Sequence, residues 1–105
     1  MQYDLTATLK NEKGEVIVEE GVTVTMRAAF TRALLSEWVD GGAQLRIDEK
    51  ARRYQLFLLI NTDATIVDLT TEQAATLKGA IGAFPTLIYG QLAAYLDRGY
   101  VPTVN

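Results

Sequence analysis

Carboxylates are the most numerous groups in this chain that could do acid–base or metal chemistry, with 13 Asp and Glu residues among 105. The chain has neither histidine nor cysteine, so the commonest general base, the commonest transition-metal ligand and a thiolate nucleophile are all missing. Glu19 and Glu20 would point to opposite faces of a strand, and Asp48 and Glu49 stand where a helix start favours negative charge. No carboxylate series has the spacing of a calcium loop. The sequence therefore predicts no metal site, no cofactor and no catalysis, and an enzyme using carboxylates alone is the least favoured alternative.

The strongest cluster of one charge type is basic and contains Arg46, Lys50 and Arg53. Their spacing of i, i+4 and i+7 would place them on one face of a helix, where they could contact nucleic-acid phosphates. Asp48 and Glu49 dilute that face, no aromatic residues alternate with the basic ones, and the net charge is −3. We favour a solvated face that offers contacts to a protein partner, and keep nucleic-acid binding as the second hypothesis.

A second candidate contact surface consists of small residues around Gly79 and Gly82, followed by Tyr89. Glycine inside a helix costs up to about 1 kcal/mol against alanine, so each of these glycines needs a reason. Two interpretations stay open, of which we favour the first: close packing of the third helix on the fourth, or close approach of a partner backbone. Tyr89 lies off the apolar stripe of its own helix, and an exposed tyrosine among small residues is typical of a binding hot spot.

These residues are positioned by a predicted α+β fold in a single domain covering residues 1–105. Residues 2–9 alternate between apolar and polar side chains, which predicts a half-buried strand with Tyr3, Leu5 and Leu9 inward. Residues 15–25 are rich in valine and are interrupted at residues 19–21 by a bulge or a turn. The first quarter is therefore a β-hairpin or a small antiparallel sheet, and a further short strand is predicted near 65–69.

About four helices are predicted to pack with these strands, and they lie near residues 26–38, 48–61, 71–83 and 86–98. Thr25 and Asp48 are suitable N-caps for the first two helices. Thr70 and Gln73 form a capping box before the third helix. Gly99 is a typical stop for the fourth helix.

Apolar stripes predict which side of each of the first two helices faces the core. Trp38 is the last residue on the stripe of the first helix. In the second helix, Ala51, Tyr54 and Leu58 share one stripe, with apolar neighbours beside them. We therefore expect that stripe to be buried and the basic residues to lie outside it.

Four segments carry a resemblance to known proteins: Lys50-Ala-Arg-Arg-Tyr54-Gln-Leu56, Ile66-Val-Asp-Leu69, Thr71-Glu-Gln-Ala-Ala-Thr-Leu77-Lys78-Gly-Ala-Ile81 and Leu87-Ile-Tyr-Gly90-Gln91-Leu-Ala-Ala-Tyr-Leu96. They resemble a loose group of small phage and prophage proteins, which share a K-x-K-R-Y helix, a Leu-Ser/Thr-x-Glu helix start and a G-Q-x-x-x-x-L ending. The layout of the first half, a hairpin leading into Ala33-Leu34-Leu35, is similar too. Residues 79–84 depart from the group, whose version is more basic. The resemblance implies a phage or prophage origin and no mechanism, since the group has no established activity.

The leading hypothesis is a small phage- or prophage-encoded accessory protein that binds other proteins, in virion assembly or against a host system. Self-association is also expected, through the strand edge at residues 2–9 or through the small-residue face. No apolar run approaches the roughly 20 residues of a membrane span, and residues 1–4 show no secretory pattern, so we expect a cytoplasmic protein without membrane contact. The candidate surfaces are thus the strand edge at 2–9, the basic face at 46–53 and the small-residue surface at 79–89.

Overall fold

We describe residues 1–36 and 44–99 of a computed structural model of the chain. The strands in these ranges are β1 (Gln2–Asp4), β2 (Val18–Glu19), β3 (Val22–Thr23) and β4 (Ile66–Asp68). The α-helices are α1 (Met26–Leu34), α2 (Ile47–Ile60), α3 (Thr71–Ala80) and α4 (Thr86–Arg98), and one 3₁₀ turn covers Ile81–Ala83. The fold is therefore α+β, as the sequence predicts, with a small antiparallel sheet and helices around it. Among the described residues, no helix has both the length and the apolar character needed to cross a membrane.

The sheet at the centre of the fold joins β1 to β4 rather than to the segment that directly follows β1. The two strands are antiparallel, with Tyr3 opposite Val67. The ladder continues past β1, where the Leu5 N–H donates to the Thr65 carbonyl at 2.9 Å. The predicted alternation is confirmed, because Tyr3, Leu5 and Leu9 are all buried. A single strand over residues 2–9 is wrong, since Thr6 turns the chain by donating its N–H to the Asp4 carboxylate.

A separate hairpin is formed by β2 and β3, with Glu19 paired to Val22. Glu20 and Gly21 connect the strands with φ angles of 52° and 80°. Two positive φ values in a two-residue loop are typical of a type I′ turn, so the interruption in the valine-rich segment is a turn and not a bulge. Isolated bridges tie the hairpin region to residues 8 and 10, which gives an irregular version of the predicted small antiparallel sheet.

The helix starts and stops follow the sequence signals with three exceptions. The Thr25 hydroxyl accepts the Ala28 N–H, and Thr70 and Gln73 form the complete capping box. The N-cap of α2 is Arg46 and not Asp48, which lies in the first turn, where a carboxylate is equally favourable. Helix α1 ends at Leu34, so the predicted extension to residue 38 is not observed over 35–36, and Trp38 lies outside the described residues. The third helix ends at residue 80, before the 3₁₀ turn.

One hydrophobic cluster joins β1, β4 and the four helices. Its largest fully buried side chains are Tyr3, Leu5, Leu9, Phe30, Ile60, Leu69, Leu77, Ile81 and Leu92. Each of the four α-helices therefore packs one side against this core.

The outer edge of β1 is covered by the end of α4. The Tyr95 hydroxyl accepts the Asp4 N–H at 2.6 Å and donates to the Asp4 carbonyl at 2.8 Å. The Tyr3 hydroxyl donates to the Leu96 carbonyl at 2.8 Å, and burial raises the pKa of this phenol, which favours the proton-donating form. Gly99 closes the helix at φ 72°, where a Cβ would lie 2.7 Å from the Met1 side chain. The strand edge at residues 2–4, which we expected to be open for association, is therefore occupied within the chain.

Replacing Tyr95 by phenylalanine tests this contact between β1 and α4. Tyr95→Phe should lower the free energy of unfolding by about 1–3 kcal/mol, because both backbone groups of Asp4 lose their partner in a part-buried place. Urea unfolding measures the change. Tyr89→Phe is the matched control, since Tyr89 is exposed on the same helix, and it should change stability by less than about 0.5 kcal/mol. Equal effects of the two substitutions would contradict the assignment.

Candidate functional site

The three basic residues predicted to share a helix face have very different surroundings. The Arg46 side chain is 87% exposed, and its Nε lies 3.5 Å from an Asp48 carboxylate oxygen. Lys50 is half-buried. Arg53 is only 4% exposed, so it does not belong to any outer surface. Arg46 is the N-cap and lies outside α2, and Arg53 is buried, so the three side chains do not share one exposed helix face.

Two acidic neighbours, Asp48 and Glu49, offset part of the charge of the basic segment. The Arg53 Nε donates to Glu49 at 3.1 Å, and among the described residues its Nη1 has no hydrogen-bond partner. Arg52 lies 2.9 Å from Glu49 and 3.6 Å from Asp48. Phosphate binding depends on cations that can exchange counterions for phosphates. The paired and buried arginines here are thus a poor surface for nucleic acid.

The two glycines of the small-residue surface are exposed, and neither packs closely against a neighbour. A Cβ built at Gly79 or at Gly82 would meet no atom within 4 Å. Close packing of the third helix on the fourth, our favoured interpretation, is therefore wrong for these two glycines. Tyr89 is exposed as predicted. Lys78, beside Gly79, bonds to Asp97 of α4, and this hydrogen bond raises the pKa of the lysine.

A different surface, on the outer side of α2, was missed by the sequence analysis. Ile47, Tyr54 and Leu58 are 85%, 58% and 54% exposed, and Ala51 between them is exposed as well. We call these four residues the α2 patch. The sequence predicted that Ala51, Tyr54 and Leu58 are buried, and that prediction is wrong for all three. It made no prediction for Ile47.

The α2 patch lies on the far side of the helix from the core. The residues of α2 that are buried are Arg53, Leu56 and Ile60. At about 100° per residue, the centre of the patch lies roughly 160° around the helix from the centre of that buried set. A surface helix of a globular protein has one apolar stripe, and a helix with two opposite stripes is typically covered on both sides.

Periodicity alone could not choose between these two stripes. Residues 56–60 are all apolar, so both faces continue through the last turns of the helix. The deciding feature is Arg53, whose burial breaks the general rule that arginine stays at the surface. The only sequence signal for the burial of Arg53 was its i,i+4 pair with Glu49, and such a pair normally indicates an exposed face.

A shallow groove extends the α2 patch towards the end of α1. It has a volume of about 250 Å³, and its lining residues are Leu34, Leu35, Ser36, Leu45, Lys50 and Tyr54. Leu35 is an exposed large apolar side chain like those of the patch. The ring of Tyr54 is held edge-on against Phe57, with 6.2 Å between the ring centroids. The groove and patch together form an apolar surface with a fixed aromatic side chain at the middle.

The other clefts in the described residues offer little chemistry. A polar cleft of about 450 Å³ lies between α2 and α3, and Glu72 is the one carboxylate in its lining. An apolar cleft of about 250 Å³ next to the β2–β3 hairpin has an ion pair of Glu19 and Arg32, 3.0 Å apart, which raises the pKa of the arginine through their hydrogen bond. Over residues 1–36 and 44–99, no group of three acidic side chains comes together to hold a metal ion. The geometry is suited to macromolecular contact.

Comparison of the chain with protein-family models, with curated proteins and with solved structures found no match. The resemblance to phage and prophage proteins therefore stays a prediction, and the functional argument depends on the surfaces described above.

The open position of Gly79 leads to a stability prediction. Gly79→Ala should raise the free energy of unfolding by about 0.5–1 kcal/mol, because alanine has the higher helix propensity and its Cβ meets no neighbour. Thermal or urea unfolding measures the change. Ala75→Gly, at an exposed position one turn earlier on α3, should give a change of similar size and opposite sign. A loss of stability in Gly79→Ala would mean that this glycine is needed for packing after all.

Proposed function

We propose that this protein is a phage- or prophage-encoded accessory protein that acts by binding another protein chain through the α2 patch. The proposal includes no catalytic step. The observation that carries it is the row of Ile47, Tyr54 and Leu58 on the side of α2 that faces away from the core.

The energetics of the α2 patch favour a protein partner. Burying one large apolar side chain is worth about 1.5–3 kcal/mol, so three of them in one row provide a substantial driving force for association. Tyrosine is enriched among the residues that dominate binding energy, and Tyr54 is at the middle of the row with its ring fixed by Phe57. No charged side chain interrupts the row, and charged residues are depleted at the centres of protein interfaces.

The biological setting in the proposal comes from the sequence resemblance. Virion assembly and action on a host system are both compatible with a small binding protein, and each would take place in the cytoplasm of a bacterial host. A chain without cysteine is compatible with that reducing compartment.

Nucleic-acid binding, the second hypothesis, is disfavoured by the structure. Of the basic residues that motivated it, Arg53 is buried against Glu49 and Arg46 is close to Asp48. The exposed apolar row lies on the same helix, and no ion pair of the kind that accounts for these arginines accounts for it.

Affinity capture from infected or lysogenic cells tests the proposal. The parent chain should capture a specific protein partner, a second copy of the same chain included, and Tyr54→Lys should reduce that capture at least about tenfold, because it places a charge at the middle of the apolar row. Val22→Lys is the matched control, since Val22 is 67% exposed on β3 and is outside the patch. Circular dichroism should show that both variants keep their helices.

Two results would contradict the proposal. One is undiminished capture by the Tyr54→Lys variant. The other is capture that disappears for every chain after nuclease treatment or at raised salt, which would indicate nucleic acid as the partner.

A further inference from the structure

We infer that the partner chain on the α2 patch is a second copy of this protein, packed antiparallel to the first across a two-fold axis. This inference rests on the proposed function, because it names the occupant of the same surface. A two-fold dimer uses one surface twice, so the surface must be complementary to itself.

The spacing of the α2 patch satisfies that requirement. Its positions are 47, 51, 54 and 58, so the intervals are four, three and four, and they are the same in both directions along the helix. In an antiparallel pair centred on the patch, Ile47 therefore lies opposite the partner's Leu58, and Ala51 lies opposite the partner's Tyr54. The same intervals are those of helices that pack along each other at a small crossing angle.

The sizes of the side chains fit this arrangement. Ala51, the small residue of the patch, is paired with the large Tyr54 of the other copy, and the two-fold axis repeats this pair. At each end of the helix pair, Ile47 of one copy meets the partner's Leu58. Alternation of large and small side chains across an interface lets the two surfaces interdigitate without voids.

The charges beside the patch do not prevent close approach of two copies. Asp48 and Arg52 lie on one flank and are already paired with each other at 3.6 Å. Lys50 lies on the other flank, half-buried, and its long side chain can keep the ammonium group in water while its methylene groups pack. Antiparallel α2 helices also oppose their dipoles, which is favourable.

The exposed area predicts a reversible dimer. Complete burial of Ile47, Tyr54, Leu58 and the neighbouring Leu35 in both copies would remove at most on the order of 1,000 Å² from water. That value is at the lower limit for specific interfaces. We therefore expect dissociation in the micromolar range rather than a permanent dimer.

Sedimentation velocity over a concentration series, from about 1 μM to about 1 mM, tests the inference on the full chain. The average mass should rise from one chain to two. Tyr54→Lys should move the midpoint at least about tenfold to higher concentration, and Val22→Lys should leave it unchanged.

A pair of complementary variants tests the antiparallel register itself. Ala51→Glu and Tyr54→Lys should each weaken self-association when alone. Mixed in equal amounts, they should form a heterodimer that is tighter than either homodimer, because the introduced carboxylate faces the introduced ammonium while the other Ala51–Tyr54 contact stays as in the parent. A mixture that associates no better than its components, or a dimer insensitive to Tyr54→Lys, overturns the inference.

A chain that stays monomeric throughout the series also overturns it, and a labelling experiment then decides what happens to the proposed function. The chain has no cysteine of its own, so Ala51→Cys introduces a single thiol into the patch. Labelling as fast as that of Ala94→Cys, an exposed position on α4, would show an open patch and leave the proposed function with a different protein as partner. Protection in the monomer would mean that the chain itself covers the patch, and the proposed function would fail as well.

Discussion

The backbone of β1 has hydrogen-bond partners on both edges, and much of the fold is arranged around that strand. One edge pairs with β4, a strand that is distant in sequence, and the other edge receives the Tyr95 hydroxyl at the end of α4. A strand edge with unpaired N–H and C=O groups is a site for unwanted pairing, and this chain covers one of its edges with a single phenol. Both ends of the described fold are thereby held together at β1. The helices then have fixed positions around one core, to which each commits one face.

The exposure of the outer side of α2 is a consequence of that arrangement. Helices α1 and α3 cover α2 on its core side, where Leu56 and Ile60 are buried and Arg53 is paired with Glu49. Since no further element of the described chain packs on the opposite side, the row from Ile47 to Leu58 faces solvent. A helix that is apolar on two opposite sides is unusual in a protein that acts alone. The functional proposal therefore depends on which face of α2 packs against the core.

The local signals in the sequence predicted much of this fold. The alternation of Tyr3, Leu5 and Leu9, the capping box at Thr70 and the helix stop at Gly99 all depend on neighbouring residues, and all are confirmed. What could not be predicted depends on distant contacts. The pairing of β1 with β4 and the cover supplied by Tyr95 join segments that no local pattern connects.

The rotation of α2 could not be predicted for the same reason. The outer row from Ile47 to Leu58 is the more regular apolar stripe of this helix, and only the packing of α1 and α3 buries the side with Arg53, Leu56 and Ile60 instead. The buried Arg53 then removes one residue from the basic face, and Gly79 and Gly82 are open because no atom lies within 4 Å of a Cβ built at either. The structure therefore weakens the case for the contact residues that were named from charge and size. The exposed apolar row on α2 becomes the candidate contact surface instead.

We infer that the outer face of α2 is an interface between two copies of this chain. Nuclear magnetic resonance spectra of the amide groups, recorded over a dilution series, locate such an interface at the level of single residues. Concentration-dependent shifts should concentrate at Ile47, Ala51, Tyr54 and Leu58 and be absent at Gly79 and Gly82. Spectra that do not change with concentration, or shifts centred on α3 and Tyr89, would contradict it.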